Sequence, residues 1–329
     1  MSGQGAGQQQ FDRKQWRASP VTAQTRVESR RRMTESEVLD LFESCSNKGK
    51  WGPDDELGTL NYITPAKVIE AGREVVSGRV VSIAHDLGTV ASKKIPSPMV
   101  HRMLYVGPDP VGCADSIEIG AHSFAITHLD AKAHVWYQGR LYNGRSAKDE
   151  VQADGLHFGS VYASREGIVT RGVLLDVARA RGVDWLSPDQ GVWPDDLEAA
   201  ESLAGVRVEP GDAVIVRVGL GAREAVEGPE DPTVRAGIVA ECLPWFHERQ
   251  IALYSGDCIE QIPQPYAGVS QPLHMIGFGA MGLNLLDIAA VEPLAAVCHE
   301  LGRYHFMLTF APLRIPGGTA SPVNPLCIF

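Results

Sequence analysis

Four ionisable side chains lie close together in one stretch of the chain, 121–144, which reads AHSFAITHLDAKAHVWYQGRLYNG. They are His122, His128, Asp130 and His134. If this stretch begins as an extended strand, His122, His128 and Asp130 share one face, because alternate residues of a strand point the same way. Residues i and i+2 then lie about 6–7 Å apart, close enough for an imidazole and a carboxylate to reach one divalent ion at ~2.0–2.2 Å. His128 and Asp130 are the best candidate pair of metal ligands.

A carboxylate such as Asp130 is costly to bury beside histidines unless a cation, a hydrogen-bond donor or water compensates its charge. The pattern His-x-Asp is also typical of loops in which the two side chains hydrogen-bond to each other. His122 and His134 on the same segment favour a metal site, but the spacing alone leaves both interpretations open.

The composition restricts the classes of partner. The chain of 329 residues has a net charge of -10, whereas binding to nucleic acid depends on clustered Lys and Arg. The one basic cluster, 26–32, is expected to be part of a solvated arm. The polar N-terminus and the lack of any run of ~20 apolar residues argue against secretion and membrane insertion. We therefore expect a cytoplasmic protein that binds a small molecule, without nucleic acid or membrane as a partner.

The cysteines suggest no chemistry. All six are scattered without a CxxC pair, which favours buried thiols over a disulfide framework or a cysteine zinc site.

The polar residues 1–34 cannot bury enough apolar surface to offset the entropy of ordering, so they predict a disordered arm. Residues 35–329 are predicted to form a single domain. A helix is predicted within 33–46, where Thr34 can cap the N-terminus and Glu37 can complete a capping box.

Helical and strand patterns are mixed along the domain. Thr64 and Pro65 predict the start of a helix that ends before Gly78. Its predicted apolar stripe is Val68, Ile69, Val75 and Val76. Further helices are predicted at 187–203, 233–249 and 286–301, and strands at 79–87, 167–178 and 212–219. The mixture predicts an α/β protein.

The segment THLDAKAH resembles the signature His-x-Gly-Thr-His-x-Asp-x-Pro-x-His of the cyclase family, which includes bacterial kynurenine formamidases and isatin hydrolases. Five other motifs resemble longer members of the family in the same order, namely WGPDDELGTLNYITPAKV, GRLYNG, RGVLLDVA, PGDAVIVRVG and FAPLRIPGGTASPVNP. The resemblance extends from about Trp51 to the end of the chain. It implies a swivelling β/β/α-type fold, with a mixed β-sheet or partly closed barrel flanked by helices. It also implies a homo-oligomer, most simply a dimer.

The resemblance implies roles for single residues. His128 and Asp130 match metal ligands of the family, and His134 matches its catalytic acid/base. The remaining ligands match His274 and Asp287. Without the resemblance, these two would be an ordinary buried histidine and the N-cap of a helix.

Two positions depart from the family pattern. Phe124, which cannot ligate a metal, stands where the family has its first histidine, and Lys132 stands where it has a proline. We expect His122 to replace the missing ligand; the alternative is that it only hydrogen-bonds to a neighbour. Asp257 and Glu260 match acidic residues near the family's site but receive no role.

The resemblance predicts a hydrolase that opens a small amide, formamide, lactam or lactone with one or two divalent ions, Zn or Mn. Such an ion activates water and polarises the scissile carbonyl. His134, too far along the predicted strand to bind the same ion, would move the proton with a pKa near the ordinary value of about 6.5. The aromatic residues of the segment are candidates for a wall against the substrate, with core packing as the alternative for each. They are Phe124, Trp136 and Tyr137.

Two other functions remain open. One is a cyclase or dehydratase, a lyase acting on a biosynthetic intermediate without hydrolysis. The other is a non-catalytic small-molecule binder that has lost its metal. Phe124 suggests it, and so does Lys132, because an ammonium group pointing into the site would repel a cation.

Overall fold

The computed structural model describes residues 30–104, 107 and 111–329. Within it, Arg32–Phe329 form one compact unit. Most of the predicted arm, residues 1–29, lies outside the described residues, and so does Arg26 of the basic cluster.

The described residues contain nine α-helices. They are α1 Glu35–Ser44, α2 Pro65–Arg73, α3 Ala147–Glu150, α4 Val177–Ala180, α5 Pro194–Ala204, α6 Leu220–Glu227, α7 Leu243–Glu248, α8 Pro272–Ile276 and α9 Glu292–Leu301. The predicted capping box of α1 is confirmed, because the Thr34 hydroxyl accepts from the backbone N–H of Glu37 and the Glu37 carboxylate accepts from that of Thr34. None of the helices in this part of the chain has both the length and the apolar character that crossing a membrane requires.

The predicted apolar stripe of α2 is wrong. Its four members, Val68, Ile69, Val75 and Val76, are all exposed. The buried face contains Ala71 and Lys67 instead, and the Lys67 ammonium lies 2.7 Å from the Asp212 carboxylate. An ion pair therefore anchors the face of α2 that the hydrophobic pattern assigned to solvent.

Three other predicted helices begin later than expected. α5 begins at Pro194, α7 at Leu243 and α9 at Glu292, and each has a proline in its first turn. Proline is tolerated there but not inside a helix, where it removes a hydrogen bond and clashes with the preceding turn. The predicted helix at 286–301 consequently starts with two residues of a strand.

The strands are mostly short. In the described residues they are β1 Val80–Ser82, β2 Val100–Met103, β3 Asp115–Glu118, β4 His128–Asp130, β5 Val151–Gln152, β6 Gly155–Leu156, β7 Ile168–Asp176, β8 Gly191–Val192, β9 Ala213–Arg217, β10 Gly237–Ile238, β11 Leu253–Gly256, β12 Asn284–Asp287, β13 His305–Phe310, β14 Ala320–Pro322 and β15 Leu326–Ile328. Nine of them form one mixed sheet in the order β1-β15-β13-β7-β9-β11-β12-β4-β14. This sheet is curled into a half-barrel flanked by helices, which confirms the predicted α/β fold.

The middle of the sheet consists of four parallel strands, β7, β9, β11 and β12. Both faces of these strands are buried: along β7, Val173 and Leu175 belong to one apolar core and Leu174 to a second core on the other face. Continuous apolar strands are typical of such doubly covered parallel sheets. The strands predicted at 167–178 and 212–219 are confirmed as β7 and β9.

The short strand β4 carries the chemistry-bearing segment into the sheet. It runs antiparallel between β12 and β14, with His128 directly opposite Asp287. The prediction of one strand from His122 to Asp130 is wrong, because only the last three residues are extended. Before them the chain turns, and the Ser123 hydroxyl accepts from the backbone N–H of Ala125, as serine commonly does in turns.

The two-sided core makes a prediction about stability. Leu174→Ala removes a fully buried side chain from the longest strand and should lower the free energy of unfolding by about 2–5 kcal/mol, measured by chemical denaturation. Ile69→Ala, at a position 59% exposed on α2, should change it by about 0.5 kcal/mol or less. A large loss in Ile69→Ala would contradict the observed exposure of the predicted stripe.

Candidate functional site

The Asp130 carboxylate lies among three histidines and is only 2% exposed. Its Oδ1 atom lies 3.1 Å from Nδ1 of His122 and 3.3 Å from Nε2 of His128, and its Oδ2 atom lies 3.7 Å from Nε2 of His274. Burial raises the pKa of Asp130, but its contacts with the three histidines outweigh burial and hold this pKa well below the usual range. Asp130 is therefore a buried anion.

The orientation of His128 is fixed by the backbone. Its Nδ1 donates to the carbonyl of Ile126 at 2.7 Å, so Nε2 faces Asp130. Burial lowers the pKa of His128, but Asp130 and Asp287 outweigh it and raise this pKa to about 9. The two carboxylates thus favour a positive charge at Nε2 of His128, either a proton on that atom or a metal ion bound to it.

His274 lies between two buried carboxylates. Its Nδ1 lies 2.8 Å from Oε2 of Glu260, and its Nε2 lies 3.2 Å from Oδ2 of Asp287. Burial lowers the pKa of His274, but the charges of Glu260 and Asp287 reverse this and raise it well above its ordinary value. Glu260, to which the sequence assigned no role, orients this imidazole from behind. The only signal for it was its match to an acidic position of the family.

The structure rejects one interpretation of Asp287. This residue is the last of β12, opposite His128, and the residue that caps α9 is Val291. Asp287 is therefore not the N-cap of a helix, and its carboxylate faces the histidines.

His122 and His134 meet although neither lies on a strand. Their rings stack with centroids 3.7 Å apart, because the chain turns after β4 and the backbone N–H of His134 donates to Ala131. His134 was predicted to lie too far along a strand to share an ion with Asp130. This prediction is wrong, because His134 does not lie on a strand. Burial lowers the pKa of His134 to about 4, below the expected value.

Two overlapping groups of side chains could hold a metal ion. His122, Asp130 and His134 form one, and His128, Asp130 and Asp287 form the other; within each group the ligand atoms all lie within 4.8 Å of one another. In the described residues, Oδ1 of Asp130 and Oδ1 of Asp287 are buried without a hydrogen-bond partner. Such oxygens are costly unless a cation compensates them. The donor set, imidazole nitrogen and carboxylate oxygen, suits Zn²⁺ or Mn²⁺.

The three aromatic candidates differ in their surroundings. Trp136 is 41% exposed, whereas Tyr137 stacks on Phe42 of α1 with ring centroids 4.4 Å apart. Phe124 packs against the guanidinium of Arg235, whose Cζ lies 4.7 Å from the ring centroid. Tyr137 thus has the core packing that was the alternative to a substrate contact.

Lys132 does not occupy the metal groups. Its buried ammonium donates to Oδ1 of Asn284 at 2.8 Å, and burial lowers its pKa to about 8, partly offset by Asp55 and Glu56. The suggested repulsion between Lys132 and a metal ion therefore has no support in the geometry.

The chain is similar to known proteins both in sequence and in structure. A family model described as putative cyclase matches residues 50–260. A crystal structure described as a novel cyclase has a TM-score of 0.78 and 29% identity, covering 88% of this chain and 99% of the other. Isatin hydrolase A from Ralstonia solanacearum has a TM-score of 0.54 and 22% identity, covering 80% and 96%. An isatin hydrolase bound to the product analogue thioisatinate has a TM-score of 0.55 and 18% identity, covering 79% and 94%. No curated protein sequence matches.

The position of Glu260 behind His274 makes a prediction about metal affinity. Glu260→Gln retains the shape and an acceptor oxygen but removes the charge, and changes to such outer partners typically weaken metal binding by 10- to 100-fold. We expect a loss of about that size in Zn²⁺ affinity, measured by competition with a chromogenic chelator. Glu201→Gln removes another buried carboxylate, paired with Arg249, and should leave the affinity unchanged. If the two variants bind Zn²⁺ with equal affinity, Glu260 does not contribute to the metal site.

Proposed function

The chain belongs to the putative cyclase family, and on that premise we propose that it is a metal-dependent hydrolase that opens a small amide, formamide, lactam or lactone. The observation that carries this proposal is the pair of buried carboxylates, Asp130 and Asp287, which lie among histidines and each have an oxygen that makes no well-oriented hydrogen bond. The shared fold with proteins named isatin hydrolases supports hydrolysis as the reaction. A cytoplasmic location and a dimeric assembly stay predictions.

We assign the metal ligands from the two groups that share Asp130. His128, Asp130 and Asp287 would hold one divalent ion, Zn or Mn, with His274 beside the two carboxylates. His122, whose Nδ1 also faces Oδ1 of Asp130, would replace the histidine missing at Phe124 and would allow a second ion. A bound ion of this kind lowers the pKa of water and polarises a carbonyl oxygen.

His134 is proposed to be the acid/base. With its pKa lowered to about 4, its imidazole is neutral near pH 7 and offers a free lone pair, as a weaker base than an ordinary histidine. The stack on His122 holds the plane of the ring, so the ring nitrogens stay directed while a proton is taken from water and delivered to the leaving nitrogen or oxygen. A neutral resting base suits hydrolysis, in which the first proton movement is away from water.

Labelled water tests the reaction class. The purified protein is incubated in H₂¹⁸O with a panel of small amides, formamides, lactams and lactones, and products are analysed by mass spectrometry. A hydrolase places one solvent oxygen in the carboxylic acid product. A cyclase or dehydratase forms its product without that oxygen, and this outcome would replace the proposed reaction by the lyase alternative.

His134→Ala separates the acid/base from a ligand. We expect the variant to retain the metal content of the wild type and to lose about 10²–10⁴-fold in kcat, the usual contribution of a positioned acid/base. His157→Ala removes an exposed histidine that pairs with Asp154 and serves as the control with unchanged kcat. Loss of metal in His134→Ala, measured by elemental analysis, would make His134 a ligand instead.

A further inference from the structure

Arg235 has a buried guanidinium that makes an ion pair but no well-oriented hydrogen bond within the described residues. The residue is 1% exposed, and its Nε, Nη1 and Nη2 atoms have no hydrogen-bond partner in the described part of the chain. Its charge is opposed by Glu230, whose Oε1 lies 2.9 Å from Nη2. A guanidinium has five N–H donors, and buried donors that stay unpaired are destabilising. Arg235 therefore has unused capacity to bind an anion.

The Glu230 carboxylate does not fully compensate the charge of Arg235, because two other cations share this carboxylate. Arg223 and Lys94 also approach this carboxylate, at 3.4 and 3.9 Å. Lys94 has a second partner in Glu224. Three cations thus meet two carboxylates, and the nearby carboxylate of Asp257 accepts from three backbone N–H groups instead. The Glu230 carboxylate is therefore divided among three cations.

Arg235 contacts two segments that carry residues of the candidate metal site, one through its guanidinium and one through its backbone. On one side it packs against Phe124, two residues from His122. On the other, the backbone of Arg235 exchanges two hydrogen bonds with Ile262, two residues from Glu260. Phe124 is only partly buried, whereas the guanidinium on which it packs is buried.

We propose that Arg235 binds a carboxylate group of the substrate, and that Phe124 is the movable cover over this subsite. Resting on the proposed hydrolase function, this inference narrows the substrate class to amides or lactones that bear a carboxylate apart from the scissile bond. A planar fork of N–H donors matches a carboxylate in two-point contact. Rotation of the Phe124 ring exposes that fork to a ligand in the site.

The test compares anionic ligands with neutral analogues by calorimetry on the full chain as purified. The probes are benzoate against benzamide, and hippurate against its methyl ester. We expect the wild type to prefer the anionic member of a pair by about tenfold or more, the usual scale of a charged hydrogen bond. Arg235→Gln should lose this preference with unchanged affinity for the neutral member. Arg223→Gln, which removes another cation at Glu230, is the matched control and should keep the preference.

Three results would overturn the proposal: no preference in the wild type, a preference that survives in Arg235→Gln, or equal loss in both variants. The second result would assign carboxylate binding to the metal. If Arg235→Gln does not fold, Arg235→Lys decides, because it keeps the charge and loses the fork, and an undiminished preference would then contradict the proposal. Binding is measured without turnover, so the carboxylate subsite and the hydrolase function are tested separately. If the protein hydrolyses nothing but still prefers anions through Arg235, the subsite is retained and the hydrolase function is rejected.

Discussion

The buried charge of Asp130 is the constraint on which the rest of the site depends. A carboxylate that is withdrawn from water is tolerated only when donors or cations surround it. Here the surroundings are histidines from two parts of the chain, with Asp287 adding a second negative charge. Two neighbouring buried carboxylates repel each other unless a cation lies between them. The positions of His122, His128 and His274 all follow from this requirement.

The sheet provides the rigid support for that arrangement. β4 is only three residues long, yet it is held on both sides, by β12 and by β14, and this register sets His128 against Asp287. The strand β12 ends at Asp287 beside β4, and Glu260 follows the end of the neighbouring parallel strand β11. Segments outside the strands supply His122 and His134.

The sequence predicted much of this because its strongest signals are local. The signature segment identified His128 and Asp130, and the apolar runs of β7 and β9 predicted the centre of the sheet. Less local features were mistaken. The meeting of His122 with His134 depends on turns on both sides of β4, whereas a strand was predicted. The exposed stripe of α2 was misassigned because Lys67 is anchored by Asp212, a partner distant in sequence. Glu260 received no role for the same reason, since its partner His274 is brought to it by the tertiary fold.

The central claim is that the cluster around Asp130 holds a divalent metal ion. Anomalous diffraction at the zinc and manganese edges, from crystals of the protein as purified, tests it most directly. The account predicts an anomalous peak within coordination distance of Asp130 and of His128 or Asp287, and no such peak in crystals of Asp130→Ala. A wild-type crystal grown with added metal that shows no peak at Asp130 would contradict the account.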